Sequence, residues 1–245
     1  MREDKEHFVL FSARQLSYQK LMISAIIPTL NAARHLPATF LSIFDAAVDG
    51  FVSEVIVSDG GSEDTTLKIA EDAGATVISG DRGRGQQLRA GAQAARKPWL
   101  LFLHADTALE RGWAGEAEAF MKKGADSAAA FRFRLADNGL QPRLLESAVA
   151  LRCKLFALPY GDQGLLISRK LYDDVGGFAP IPLIEDVDFV RRLGRQRIAM
   201  LKTAAVTSAE RFRRDGYFRR SLSNLSCLMS YYRGVPPERL AERYG

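Results

Sequence analysis

The stretch Trp99-Leu-Leu-Phe-Leu-His-Ala-Asp-Thr107 constrains this chain more than any other. Leu100 to Leu103 run without a polar break, and His104, Ala105 and Asp106 follow at once. An unbroken apolar run of this length suits a strand covered on both faces, the state of a central parallel strand. In open α/β sheets, ligands gather at the carboxyl ends of such strands. His104 and Asp106, two residues apart, would emerge together where a ligand is expected, provided extended geometry continues through them.

The flanking sequence supplies the rest of such a sheet. Ile23–Ile27 reads as a first strand, broken by Pro28-Thr29-Leu30-Asn31, with helical spacing from Ala32 to about Ala47. Glu54–Ser58 reads as a second strand and ends in Asp59-Gly-Gly-Ser-Glu-Asp64, where Ser62 is expected to cap a helix through about Ala73. A strand over Ala75–Ser79 enters Gly80-Asp-Arg-Gly-Arg-Gly85, and a helix to about Arg96 leads into the central strand. This alternation predicts an α/β chain with a mostly parallel sheet flanked by helices.

Beyond Asp106 the pattern is less regular. Helices are expected over Trp113–Lys123, from about Pro142 to Leu158, and from Glu185 onward. Phe131, Phe133 and Leu135 alternate with Arg132 and Arg134, the period of a half-exposed strand over Ala129–Leu135. Leu165–Ser168 and Ile198–Val206 read as further strands, and a basic loop precedes a C-terminal helix from about Tyr217 to Tyr232. Residues 1–21 are polar and weakly periodic, and read as an extension ahead of a single domain over 22–245.

At 245 residues, 47% hydrophobic and 26% charged, the chain can bury a core without disulfides. Cys153 and Cys227 lie far apart without metal-like spacing, and nothing reads as a secretory leader, which favours a reducing cytoplasm. No window approaches the roughly 18 apolar residues of a membrane span. The net charge of +5 comes with no nucleic-acid-binding motif, and suits a protein handling an anionic small molecule, with contact to an anionic membrane surface compatible with it.

Five groups of residues could carry chemistry. Asp106 with His104 could ligate a hard divalent cation such as Mn²⁺ or Mg²⁺, or simply close a turn. Asp59, between a strand and two glycines, could accept from a base or a ribose, or form an Asx-turn. Arg84 and Gly85, beside Arg82 and Gly83, suit phosphate at a helix start, although Leu88 removes the third glycine of a dinucleotide fingerprint. Glu185-Asp186 pairs carboxylates so that one could serve as a general base, or both could complement a helix dipole. Five arginines lie between Arg211 and Arg220, of which Arg211 and Arg213 could close over a diphosphate or sit in solvent.

In order, Pro28-Thr29-Leu30-Asn31, Asp59-Gly-Gly-Ser-Glu-Asp64, His104-Ala105-Asp106 and Glu185-Asp186 resemble the motif series of the inverting family-2 glycosyltransferases of the GT-A fold. Gly83-Arg-Gly-Gln-Gln87, Phe102-Leu-His-Ala-Asp-Thr107, Pro159-Tyr-Gly-Asp-Gln-Gly164 and Glu185-Asp-Val-Asp188 look like hallmarks of a bacterial subgroup, the radical-SAM/selenodomain-associated glycosyltransferases. The resemblance implies a nucleotide-sugar-binding half over 22–107 and an acceptor-side half over 108–245. It implies a UDP-linked donor held by Pro28–Asn31 and Asp59, and a divalent cation on Asp106 with His104. Asp186 would be the base, and Asp162, Gln163 and Glu185 would line the sugar or acceptor pocket. His104 replaces the first acid of the usual metal motif. The Gln-x-x-Arg-Trp motif of processive synthases is replaced by Ala209-Glu-Arg-Phe212, so a single transfer is expected, with a lipid-linked acceptor compatible with the aromatic, basic C-terminal helix. A nucleotidyltransferase and a non-catalytic nucleotide-sugar-binding module are the competing readings. The first lacks its glycine-rich signature at Pro28–Asn31.

Overall fold

The computed structural model describes residues 21–244 other than 157, so all but the last residue of the expected N-terminal extension lies outside the described residues. The strands are β1 (Ile23–Thr29), β2 (Val52–Asp59), β3 (Thr76–Ser79), β4 (Trp99–Phe102), β5 (Thr107–Leu109), β6 (Ala128–Leu135), β7 (Leu165–Ser168) and β8 (Ile198–Thr207). They form one sheet in the order β3-β2-β1-β4-β7-β6-β8-β5. The helices are α1 (Leu36–Val48), α2 (Thr66–Asp72), α3 (Arg84–Ala94), α4 (Trp113–Met121), α5 (Leu140–Phe156), α6 (Arg169–Asp174), α7 (Glu185–Leu193), α8 (Glu210–Asp215), α9 (Tyr217–Tyr232) and α10 (Pro237–Tyr244).

The apolar run in β4 shows why this sheet needs two covers. Trp99, Leu101 and Leu103 join a core with Ile23, Ala25 and Ile27 of β1 and with residues of α1 and α4. Leu100 and Phe102 point the other way, into a core with Ile26, Leu88 and Ala92 of α3, and Phe189 of α7. Period two in the strand thus splits one hydrophobic run between two layers of helices. Leu100, Leu101 and Leu103 are fully buried, each contributing about 1.5–3 kcal/mol of transfer free energy.

Strands β3, β2, β1 and β4 are mutually parallel, as the alternation predicts. The second half is mixed: β7 runs antiparallel to β4 and to β6, while β8 is parallel to β6 and antiparallel to β5. The chain leaves β1 toward β2 and β3, then returns to place β4 on the other side. The carboxyl ends of β1 and β4 therefore flank a topological switch point, the crevice where such sheets bind ligands.

Local boundaries differ where side chains compete with helix formation. Helix α1 starts at Leu36, with Pro37 in its first turn, rather than at Ala32. The amides of Ala32 and Ala33 are instead held by Thr66 Oγ1 and Asp64 Oδ2. Ser62 does not cap α2, which begins four residues later with Thr65 at its cap position. Its hydroxyl donates to Asp59 and accepts from the Asn31 amide.

Candidate active site

At the switch point, Asp59 at the end of β2 is 1% exposed and knits two loops together. Its Oδ1 accepts from Thr29 Oγ1 at 2.7 Å and Ser62 Oγ at 2.5 Å. Its Oδ2 accepts from the amides of Gly61 at 2.9 Å and Ser62 at 2.7 Å. Burial works against the charge, but these donors outweigh it and hold the carboxyl below the usual range. A carboxylate has about four acceptor sites, and all are taken within the protein. Asp59 therefore shapes the loop, where a direct base or ribose contact was expected of it. Asn31 adopts a left-handed φ of 50°, and its Oδ1 accepts from the Glu63 amide. Gln87 of α3 donates to the carbonyls of Thr29 and Ser58, a bridge that only the Gly-Arg-Gly-Gln-Gln string hinted at.

Strand β4 ends at Phe102, and residues 104–107 form a turn closed by the Thr107 amide on the His104 carbonyl at 3.1 Å. His104 and Asp106 thus do not share a strand face, because the chain reverses into β5 to pair with β8. Thr39 Oγ1 of α1 fixes the turn by donating to the buried Ala105 carbonyl, and the Ser208 amide does so at Asp106 O. Among the described residues the Asp106 carboxylate has only a long 3.4 Å contact from Thr107 Oγ1, leaving it available. Burial and the nearby Arg84 guanidinium lower the His104 pKa to about 4, so its ring is neutral near pH 7.

Opposite this turn stand Gly161–Gln163 and the N-terminus of α7. The Gly161 amide donates to Asp186 Oδ2 at 2.6 Å, and the Val187 amide to Asp186 Oδ1 at 2.7 Å. A Cβ at position 161 would lie 2.5 Å from His104 Nε2 and 3.4 Å from Asp186 Oδ2, so glycine lets this backbone pass between the two side chains. Ile184, at the cap position of α7, has φ 67°, a conformation costing a β-branched residue about 1–3 kcal/mol. The strain sits directly before Glu185 and Asp186.

Among the described residues, four polar atoms around this cleft have no close hydrogen-bond partner: both Glu185 carboxylate oxygens, Asp162 Oδ1 and Tyr160 Oη. Glu185 is fully buried, and its nearest cation is Arg84 Nη1 at 3.6 Å. Burial pushes its carboxyl up to about 7 against the pull of Arg84, and pushes Asp162 up to about 6 against Arg152. Burial likewise raises the Tyr160 phenol to about 12, with Arg152 stacked 3.6 Å over its ring. Buried polar groups are normally paired, so orphaned acceptors and a hydroxyl converging on one carboxylate fit a hydroxyl-rich ligand. Neither Tyr160 nor Arg152 had been given a role from the sequence, although Tyr160 lies in the Pro159–Gly164 string.

Other expected site residues have different work. Gln163 is buried, donates to the Phe131 carbonyl, and accepts at Oε1 from Arg152 and the Tyr160 amide, so it supports the turn and does not line a pocket. Arg213 does not face a diphosphate: it is bound to Asp137 at 2.8 Å on the outer surface. Arg211 is exposed as a whole residue, with its pKa depressed by partial burial and by Arg84 against the pull of Asp106. The Gly85 amide donates to Ile181 O at 3.1 Å and is not aimed at a phosphate. A Cβ there would lie 2.2 Å from Ala179 O, so Gly85 seats α3 against the loop leading to α7.

A divalent cation could take Asp106 and the neutral His104 imidazole. Among the described residues no cluster of three or more His, Cys, Asp or Glu offers a full cage, so a cation's other positions would fall to ligand oxygens and water, which suits a hard, hydrated ion.

Fold and cleft together define a GT-A glycosyltransferase. The structure of glucosyl-3-phosphoglycerate synthase from Mycobacterium tuberculosis, in complex with Mn²⁺, UDP-glucose and phosphoglyceric acid, matches with a TM-score of 0.56 and 25% identity over 75% of this chain and 71% of that one. Staphylococcus aureus TarS 1–349 matches in fold, at TM-score 0.60 and 19% identity over 84% of this chain and 64% of that one. The chain belongs to glycosyl transferase family 2, whose model matches residues 24–182. That span ends just before Glu185 and Asp186. Among curated relatives, a PGL/p-HBAD biosynthesis glycosyltransferase of Mycobacterium tuberculosis is 41% identical over 95 residues, 36% of each chain. Glycosyltransferase AglJ of Haloferax volcanii is 30% identical over 141 residues, 57% of this chain and 45% of that one. The chain thus spans less than half the length of either relative.

Proposed function

We propose that this glycosyltransferase moves one sugar from a nucleoside-diphosphate sugar, UDP-linked, to an acceptor hydroxyl with inversion, and that Asp186 is the general base. The observation that carries this reading is the Asp186 carboxylate, oriented by the Gly161 and Val187 amides beside four unpartnered polar groups. The acceptor O–H gives its proton to Asp186 while the oxygen forms a bond to the anomeric carbon from the face opposite the leaving group. The bond from that carbon to phosphate oxygen breaks, and the nucleoside diphosphate departs with the electron pair.

Arg84 and Arg211 would face the departing diphosphate, and Asp106 with His104 would hold a Mn²⁺ or Mg²⁺ ion there. When bound, such an ion neutralises charge on the diphosphate oxygens. Glu185 and Asp162 would accept hydrogen bonds from sugar hydroxyls, and Tyr160 would donate one. The loops at Pro28–Asn31 and Gly60–Ser62 would receive the nucleoside, with Asp59 fixing their shape. The UDP assignment rests on the structural relative crystallised with UDP-glucose, and a single transfer on the missing processive motif.

Calorimetric titration with UDP and GDP, with and without Mn²⁺, tests the donor side. Asp186→Asn tests the chemistry: nucleoside-diphosphate affinity should stay within about twofold while turnover falls by at least about 10²-fold. Turnover equal to wild type would remove Asp186 as the base. Binding of neither nucleotide under any condition would overturn the donor-site reading.

A further inference from the structure

Helix α9 is 16 residues long, yet Cys227 is its sole buried residue. Phe218, Leu222, Leu225, Met229 and Tyr232 are all exposed, Phe218 by 78%. Their spacing of 4, 3, 4 and 3 places them along one helical face. Helix α5 repeats the arrangement, with Leu140, Leu144, Leu151 and Leu155 exposed, Leu140 by 74%. A groove of about 560 Å³ opens at the start of both helices, lined by Gln141 of α5, by Phe212 and Arg213 of α8, and by Tyr217, Phe218 and Arg219 of α9. Two such apolar stripes exceed the scattered exposure of an ordinary surface.

Charge decides what covers them. Helix α9 contains no Asp or Glu, and arginines stand at both its ends, at 219 and 233. The one acid of α5, Glu146, turns inward to accept from the Leu135 amide and Arg143, leaving Lys154 beside the stripe. A second copy pairing through α9 would bring arginines together in either orientation, with no acid on the helix to meet them. An anionic surface with an apolar interior satisfies stripe and rim together.

We propose that α5 and α9 form an interfacial docking face for a bilayer containing anionic lipid. The same helices border the cleft: Arg152 of α5 stacks on Tyr160, and the buried thiol of Cys227 in α9 feels the charge of Asp186. Docking would set the acceptor side against the membrane, so that a lipid-borne hydroxyl reaches the base. That last step rests on the proposed transferase reaction, whereas docking itself does not.

The test is flotation of the full chain with vesicles of phosphatidylcholine alone and of phosphatidylcholine mixed with phosphatidylglycerol. The wild type should float with the mixed vesicles, less so in high salt. Phe218→Ser/Leu222→Ser/Leu225→Ser should lower partitioning by about tenfold or more, with melting temperature as the folding control. Arg219→Glu/Arg233→Glu leaves the stripe intact and should selectively weaken binding to the anionic vesicles. No flotation of wild type, or flotation of both variants equal to that of wild type, would overturn the proposal. So would a concentration-dependent dimer lost in the serine variant without any flotation, which would assign the face to a second copy. No sugar nucleotide is present, so the result is independent of the donor titration.

Discussion

Replacing Glu185 by glutamine should stabilise this protein at neutral and higher pH. The carboxyl is 1% exposed, its nearest cation Arg84 Nη1 stands off at 3.6 Å, and burial moves its pKa from an ordinary 4.5 to about 7 on folding, against the pull of Arg84. Between those values the native state holds more protons than the unfolded one, so stability falls as pH rises, with the loss absent below about 4.5 and complete above about 7. At about 1.4 kcal/mol per pH unit the loss is about 3 kcal/mol. Glutamine removes the titration while keeping shape, and the Arg84 side chain left behind is 34% exposed and keeps access to water. For a chain of this size, about 3 kcal/mol corresponds to a melting temperature higher by about 6–12 °C. Melting the two proteins at about pH 5 and about pH 8 checks this, with the gap expected chiefly at the higher pH. Asp162, raised to about 6, adds a loss of the same sign, and His104, lowered to about 4, adds one of opposite sign. Both groups remain in the variant, so the comparison cancels them. An equal gap at both pH values would refute the linkage. A variant less stable at the higher pH would show that the Arg84 ion pair outweighs the cost of burial.

Asp59→Asn should destabilise the fold by about 2–4 kcal/mol in denaturant titration, because an amide nitrogen cannot accept from the donors the carboxylate now satisfies. A loss below about 0.5 kcal/mol, the level of an ordinary surface substitution, would mean that Asp59 is not the knot of the two loops. Arg211→Ala should weaken nucleoside-diphosphate binding by about tenfold, as loss of a charge-assisted contact does. Arg213→Ala should change it by less than about twofold, as for an exposed pair, and equal losses in calorimetry would show that Arg211 has no diphosphate contact of its own.

Half of this architecture was written in local pattern. Apolar runs and short connections pointed to β1 to β4, and the helix expected from about Tyr217 to Tyr232 is α9, Tyr217–Tyr232. The second half was less legible because its strands pair over long sequence distances: three residues of β5 become a strand only through β8, about a hundred positions away. The motif strings located the cleft, and the structure gathers His104, Asp162, Glu185 and Asp186 around it. What the strings could not give was how each side chain is employed. Gln163 and Arg213 carry the right chemistry for a ligand, yet folding commits them to Phe131 and Asp137. Ser62 looked like a cap, but a buried carboxylate three residues earlier was the stronger acceptor. Such competition between neighbours is decided by three-dimensional placement, which residue type alone does not encode.

The two outermost strands of the sheet bear on how the protein behaves when concentrated. β3 has four residues and β5 three. Alternate residues of a strand turn their amide and carbonyl outward, so β3 and β5 themselves each offer only about two positions for another chain to add to. Strand-to-strand stacking is therefore a poor route to aggregates for the folded molecule. Losses on storage should instead track the exposed leucines of its helices, and mild detergent should prevent them better than changes that protect a sheet edge.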